Sequence, residues 1–133
     1  MILQINTSQL KVLLRSLDRF TLVDARPIFL YSQEHIPGAV SIPEGTIETK
    51  APALLEKAET IIVYGKNMKS RTGARAAAKL SKLGYRNVIN FPGGLDDYRR
   101  TGLPLAGRLH GAASGRNIPT KATARPQRVA SRR

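Results

Sequence analysis

Short apolar strands alternate with helical segments along most of this 133-residue chain. Runs such as Ile61-Ile62-Val63-Tyr64 are typical of buried strands, and apolar residues at helical spacing lie between them. This alternation favours a parallel sheet with helices on both faces, because each crossover helix packs on one side of the sheet. We therefore predict an α/β fold with one domain, since a chain of this length forms one core.

The predicted elements follow one another in a regular order. We expect strands over residues 2–5, 21–24, 39–42, 60–64 and 87–91. We expect helices over residues 7–17, 28–34, 51–58, 71–83 and 96–101. Ligands of such sheets bind beyond the carboxyl ends of the strands. The polar residues that follow the second and fourth strands should therefore flank one crevice.

A basic loop joins the fourth predicted strand to the helix that follows it. Backbone amides and a helix N-terminus that converge after a strand favour a bound anion. We predict that the whole loop binds an anion. Its residues are Gly65, Lys66, Asn67, Met68, Lys69, Ser70 and Arg71.

Three ordered motifs of the chain resemble those of rhodanese-like domains. The first motif is Leu22-Val23-Asp24-Ala25-Arg26 with Tyr31 and His35-Ile36-Pro37-Gly38-Ala39. The second is Tyr64-Gly65 with Arg71 and Ala76-Ala77-Ala78. The third is Gly93-Gly94-Leu95 with Tyr98 and Gly102-Leu103-Pro104. The resemblance implies a rhodanese-like domain over residues 1–105, with a five-stranded, mainly parallel sheet. In that family tryptophan usually stands at the position of Tyr98.

The chain departs from this family at the nucleophile. The resemblance implies a loop cysteine that carries sulfur as a persulfide, yet Gly65 holds that position and the chain contains no cysteine. Glycine cannot replace a thiolate, and Ser70, the one hydroxyl of the loop, has no identified base. The spacing Gly65-x5-Arg71 is similar to that of related phosphatases and arsenate reductases and also fits sulfurtransferase variants with longer loops. We expect no metal and no cofactor.

Three polar residues near the loop have two interpretations. Asp24, Arg26 and His35 would form the rim of the pocket. Alternatively, Asp24 and Arg26 form a buried ion pair that ties the strand end to the next turn, and His35 fixes its own turn by a hydrogen bond.

Four cations repeat at helical spacing after the loop. Arg75, Lys79, Lys82 and Arg86 have no acid among them and would line one helix face. Like charges at this spacing cost a few tenths of a kcal/mol each. An anionic partner would relieve that cost, whereas the alternative is an ordinary solvated face.

The C-terminal residues form a separate basic segment. Residues 106–133 hold seven of the 22 Lys and Arg residues and none of the nine acidic ones. Their low content of large apolar residues predicts a disordered basic tail. Such a tail attracts polyanions, so nucleic acid or an anionic surface is a candidate partner.

The sequence predicts a catalytically inactive rhodanese-like module that binds a small oxyanion or an acidic protein partner through the loop and the basic helix face. One alternative is a sulfurtransferase-like or phosphatase-like enzyme with a non-cysteine nucleophile. The other is an electrostatic binder of nucleic acid or anionic surfaces through the tail. No apolar run approaches the roughly 20 residues of a membrane span. Because no secretory pattern is present, we expect a cytoplasmic domain.

Overall fold

The computed structural model describes residues 2–110, in which five strands and five α-helices alternate. The strands are β1 (Ile2–Gln4), β2 (Thr21–Asp24), β3 (Val40–Ser41), β4 (Thr60–Tyr64) and β5 (Asn87–Phe91). The helices are α1 (Thr7–Arg15), α2 (Ile28–Gln33), α3 (Ile47–Leu54), α4 (Thr72–Lys82) and α5 (Gly94–Arg100). Short 3-10 turns cover Glu44–Thr46 and Arg108–His110. No helix of this part of the chain combines the length and apolar character that crossing a bilayer requires.

The five strands form one sheet in the order β1-β5-β4-β2-β3, and every pair is parallel. This confirms the predicted five-stranded α/β fold. Strand β4 lies at the centre and is almost entirely buried, as expected of an apolar strand with helices on both sides. Asp24 of β2 is in register with Tyr64 of β4, so both strands end at the same edge.

Each face of the sheet has its own apolar cluster. Helices α3 and α4 cover one face, where the buried residues include Val23, Ile61, Val63, Val88, Ile47, Ala51, Ala76, Ala77 and Leu80. Helices α1 and α5 cover the other face, where they include Leu22, Ile62, Tyr64, Phe91, Leu10, Leu95 and Tyr98. The alanines of α4 leave room for the helix to pack closely on the sheet.

The predicted range of α3 is wrong, and so is the predicted position of Arg86 on the face of α4. Helix α3 begins and ends earlier than the predicted range 51–58, because a 3-10 turn leads into it and Leu55 is already extended. Helix α4 ends at Lys82, and Gly84 follows with a φ of 101°, a left-handed conformation that glycine adopts without strain. Arg86 lies beyond this stop, so it does not share a helix face with Arg75 as predicted.

The chain remains ordered past the predicted domain boundary at residue 105. Ala106 and His35 exchange backbone hydrogen bonds of 2.9 and 3.0 Å in an antiparallel bridge. His110 Nε2 lies 2.9 Å from Glu34 Oε1, and Arg99 pairs with the other oxygen of the same carboxylate. Residues 106–110 therefore form a strap across the end of α2. The remainder of the predicted tail, 111–133, lies outside the described residues.

We expect Glu34→Gln to weaken the contacts of residues 106–110. The free energy of unfolding of this variant should also depend less on pH in the acid range. Burial alone would raise the pKa of Glu34, but hydrogen bonds from His110 and Arg99 outweigh it and lower the pKa. A lowered pKa stabilises the fold above the ordinary glutamate pKa, and that contribution is lost as pH falls through the lowered value. We expect a loss of about 1–2 kcal/mol near neutral pH.

Urea unfolding at neutral and acid pH measures this effect. The exposed Glu56 supplies the control substitution, Glu56→Gln. If both variants have the same pH profile, the strap contributes nothing through Glu34.

Candidate functional site

The loop Gly65–Arg71 leaves the carboxyl end of β4 and lies between the first turns of two helices. Helix α4 starts directly after it, and α5 binds it from the side. The amide of Leu95 donates to the Gly65 carbonyl at 3.0 Å, and the amide of Asp96 donates to the Lys66 carbonyl at 2.9 Å. The start of α5 therefore fixes the direction of the first two loop residues.

Gly65, the position predicted to correspond to the family's nucleophile, is closely packed. A Cβ atom placed on Gly65 would lie 2.9 Å from the backbone nitrogen of Gly73 and 3.3 Å from Cβ of Thr72. A Cβ on Gly94 would lie 2.5 Å from the Gly65 carbonyl oxygen. Gly65 thus packs backbone to backbone against both helices. No side chain fits there unless the first turn of α4 moves.

Asn67 occupies two of the loop amides that were predicted to hold an anion. Its Oδ1 accepts from the amides of Lys69 at 3.0 Å and Ser70 at 3.1 Å, and its Nδ2 donates to Asp96 Oδ2 at 2.9 Å. The Thr72 amide donates to Ser70 Oγ at 3.3 Å. Side chains of the loop itself therefore bind backbone donors on which an oxyanion site would depend.

Asp96 was not among the predicted site residues, although it lies at the centre of the loop's contacts. Its hydrogen bond from Asn67 lowers its pKa, and Lys66 Nζ at 3.6 Å acts in the same direction. The pair of acids after Gly93-Gly94 was the sequence feature that could have identified it, since acids are favoured in the first turn of a helix.

Asp24 and Arg26 form the buried ion pair that was one of their two interpretations. Asp24 is 0% exposed and Arg26 is 6% exposed. Arg26 Nη2 lies 2.8 Å from Asp24 Oδ2 and donates to the Glu34 carbonyl at 2.7 Å. Burial alone would lower the pKa of Arg26, but the bond to Asp24 and its charge raise it. The two side chains act as a cross-link below the loop.

Tyr64 forms a second link near the carboxyl ends of the strands. Its hydroxyl accepts from the Ile36 amide at 3.0 Å, which ties β4 to the turn after α2. Burial raises the pKa of Tyr64 well above its ordinary value, and the Asp24 carboxylate adds to the shift. The phenol therefore remains neutral.

His35 is held by its own turn. Its Nδ1–H donates to the Tyr31 carbonyl at 2.7 Å, and its ring stacks on Tyr31 with 3.8 Å between centroids. Burial lowers the pKa of His35. These contacts explain its position, and its predicted role at a pocket rim stays a prediction.

The basic row on α4 is partly neutralised, which corrects the predicted uncompensated face. Lys79 Nζ lies 2.8 Å from Glu44 Oε2 and 3.8 Å from a Glu48 oxygen. Arg75 Nε lies 3.5 Å from Glu44 Oε1. The hydrogen bond from Lys79 lowers the pKa of Glu44. Glu44 lies in the turn before α3 and Glu48 in the first turn of α3, so the sequence of α4 alone could not indicate them.

Three predicted cations of the loop and α4, together with Arg86 beyond the helix, form no ion pair within residues 2–110. Lys69, Arg71 and Lys82 are exposed, and within residues 2–110 none of them forms an ion pair.

Ser70 Oγ donates to the Thr72 hydroxyl at 3.2 Å. The hydrogen bonds of Ser70 within the described residues thus involve no general base.

Comparisons with known proteins agree with this architecture. A family model described as a rhodanese-like domain matches residues 7–101. The chain is 35% identical over 81 residues to YrkF of Bacillus subtilis, covering 61% of this chain and 42% of YrkF. It is 31% identical over 108 residues to a sulfurtransferase of Allochromatium vinosum, covering 79% of this chain and 95% of that protein. The chain therefore spans less than half of YrkF.

A solved structure is similar over most of both chains. The solution NMR structure of the rhodanese-like domain from the Anabaena protein Alr3790 superimposes with a TM-score of 0.75 and 29% identity, covering 84% of each chain. The resemblance deduced from the three sequence motifs is therefore confirmed over nearly the same residues.

Asp24→Asn should destabilise the fold by about 3–5 kcal/mol, because it leaves the Arg26 guanidinium buried without its counter-charge. Thermal and urea unfolding measure the loss. Asp18→Asn, at an exposed position, is the control. An Asp24→Asn variant as stable as the control would mean that the ion pair does not support the sheet edge.

Asn67→Ala should lower stability by about 1 kcal/mol, as the loss of a side chain that caps amides does at helix ends. Because the amides of Lys69 and Ser70 lose their acceptor, their hydrogen exchange should accelerate. Asn87→Ala removes an amide that bonds the Ala58 carbonyl elsewhere and serves as the control. Unchanged exchange at both loop amides would contradict the assigned role of Asn67.

Proposed function

Because the chain belongs to the rhodanese-like domain family, we propose that it is a catalytically inactive module that binds an acidic partner through its former active-site loop. The observation that carries this proposal is the backbone contact between Gly65 and Gly73. It closes the position from which a family nucleophile would act.

Sulfur transfer through a persulfide requires a thiolate, and this chain has no cysteine. A hydroxyl nucleophile needs a base within hydrogen-bond distance. Ser70 instead contacts the hydroxyl and amide of Thr72. These contacts argue against the alternative of an enzyme with a non-cysteine nucleophile.

The binding part of the proposal rests on charge and exposure at the loop. Lys69 and Arg71 are exposed and, among the described residues, have no carboxylate within 4.0 Å. Asn67 already accepts from two loop amides, so a small oxyanion would depend mainly on these two side chains. This balance favours an acidic protein over phosphate or sulfate as the physiological partner.

The tail supports a different, electrostatic function. Residues 111–133 carry six Lys and Arg residues and no acid, which favours association with nucleic acid or an anionic surface. Since those residues lie outside the described part, this alternative stays a prediction. Binding through the tail would weaken steeply with added salt.

A thiosulfate-to-cyanide assay of the wild-type chain should detect no turnover, and Gly65→Cys should not restore it. The added side chain meets the start of α4, so Gly65→Cys should lower the free energy of unfolding by about 1–3 kcal/mol. Gly65→Ala adds the same Cβ without the thiol and is the matched control.

The activity assay and the stability measurement test separate parts of the proposal. Wild-type turnover at ordinary sulfurtransferase rates would refute catalytic inactivity. Full stability of Gly65→Ala would refute the closed nucleophile position. Phosphate and thiosulfate titrations of the wild-type chain measure the small-anion version of binding.

A further inference from the structure

We propose that the loop tip, defined as Met68, Lys69 and Arg71, docks a protein segment in which an apolar side chain lies between carboxylates. This inference rests on the proposed function, and it specifies the chemistry of the partner. Its central feature is an exposed apolar side chain that is followed in the loop by two exposed cations, neither of which forms an ion pair within residues 2–110.

Met68 is the apolar part of the tip. Its side chain is 70% exposed, although the residues on either side of it in the loop are polar. A single exposed apolar residue is ordinary on a protein surface. Methionine is also unbranched and polarisable, which suits it to adaptable contacts with a partner. Met68 is therefore a candidate partner contact only because two cations lie close to it in the loop.

Lys69 and Arg71 differ from the other cations around the loop. Lys66 has Asp96 nearby, whereas Arg75 and Lys79 have Glu44. Lys69 and Arg71 have no such acid within the described part of the chain. Among the cations of the loop, those without an ion pair in residues 2–110 are thus the two that follow Met68.

The base of the tip is fixed by contacts on both sides. The amides of Leu95 and Asp96 hold the first two loop carbonyls, and Asn67 joins the loop to Asp96. A partner would meet a loop that is already shaped, so less conformational entropy is lost on binding. This arrangement suits docking by side chains on a preformed surface.

The same contacts favour a protein segment over a small anion. The amides of Lys69, Ser70 and Thr72 already donate to loop side chains, which leaves fewer backbone donors for an anion and favours recognition by side chains. An apolar side chain on the partner would cover Met68, which a free oxyanion cannot do. Two carboxylates beside it would meet Lys69 and Arg71.

Acids next to the tip favour a segment over an anionic bilayer. Asp96 lies on one side of the loop, and Glu44 contacts α4 on the other. A planar lipid surface would bring its phosphates against these carboxylates as well as the cations. A short segment can meet the two cations individually.

A second exposed apolar group lies at the same edge of the sheet. Strand β2 neighbours β4, and α2 begins soon after it with Ile28 and Phe29, both more than half exposed. Apolar surface is therefore present beyond the ends of two adjacent strands, which would lengthen the footprint of a docked segment.

The test uses the full-length, isotope-labelled chain and two capped pentapeptides. One peptide has leucine between two pairs of glutamates, and the other has serine in place of the leucine. We expect the NMR shifts of residues 66–71 to change on titration. The leucine peptide should bind about fivefold more tightly, because partial burial of leucine contributes about 1 kcal/mol. Met68→Ser should remove this preference.

Charge reversal supplies a matched pair of variants. Lys69→Glu with Arg71→Glu should weaken both peptides by about tenfold or more, because opposed charges become like charges. Lys82→Glu with Arg86→Glu gives the same net charge at exposed positions away from the tip, and it should change affinity by less than about twofold. The basic tail is present in every variant, so its contribution is common to all.

Several results would overturn the inference. They are equal losses in the two double variants, equal affinity of the wild-type chain for both peptides, and absence of peptide binding at millimolar concentration. Vesicle binding that depends on Met68 and Lys69 would assign the tip to a phosphatidylserine bilayer instead. If phosphate shifts the loop amides while neither peptide does, the proposed function stands and this inference fails.

Discussion

The contact between Asp24 and Arg26 determines how the carboxyl edge of the sheet is built. Asp24 ends β2 with its carboxylate fully buried, and Arg26 binds it through both the side chain and the backbone amide. Charged side chains that are buried away from water are tolerated only where hydrogen bonds and an opposite charge satisfy them. Because the same guanidinium also binds the carbonyl of Glu34, the end of α2 is fixed relative to β2. Tyr64 extends this frame to β4, from which the loop begins.

The loop on this frame belongs to a rhodanese-like fold, but the chain supplies no cysteine to it. Glycine at the nucleophile position allows the start of α4 to approach the end of β4, and the backbone of Gly73 occupies the space that a side chain would need. Asn67 and Ser70 accept from the amides of Lys69, Ser70 and Thr72. Removal of a side chain and closure of the surrounding backbone are therefore two aspects of one packing arrangement, since protein interiors leave few voids.

The side chains of Met68, Lys69 and Arg71 are exposed on the loop. Arg75 and Lys79 of α4 pair with Glu44 of the turn before α3, whereas Lys69 and Arg71 of the loop are exposed and form no ion pair within residues 2–110. The unpaired cations of the loop therefore lie close to Met68 in the chain, whereas the first two cations of α4 are neutralised. Exposed charges attract partners over about a Debye length, and an apolar side chain among them adds short-range specificity.

The sequence by itself determined the order of strands and helices, the position of the basic loop and the absence of a thiol, because local patterns and residue types suffice for these. It did not determine where α3 begins and ends or which cations stay unpaired. Glu44 is 31 residues from Arg75, and Asp96 is 29 residues from Asn67, and only packing of α3, α4 and α5 around the sheet brings these groups together. Closure at Gly65 likewise depends on a backbone contact with Gly73, which no sequence pattern encodes. The tertiary structure decided these features because they are distances between elements, and such distances are set by the whole core.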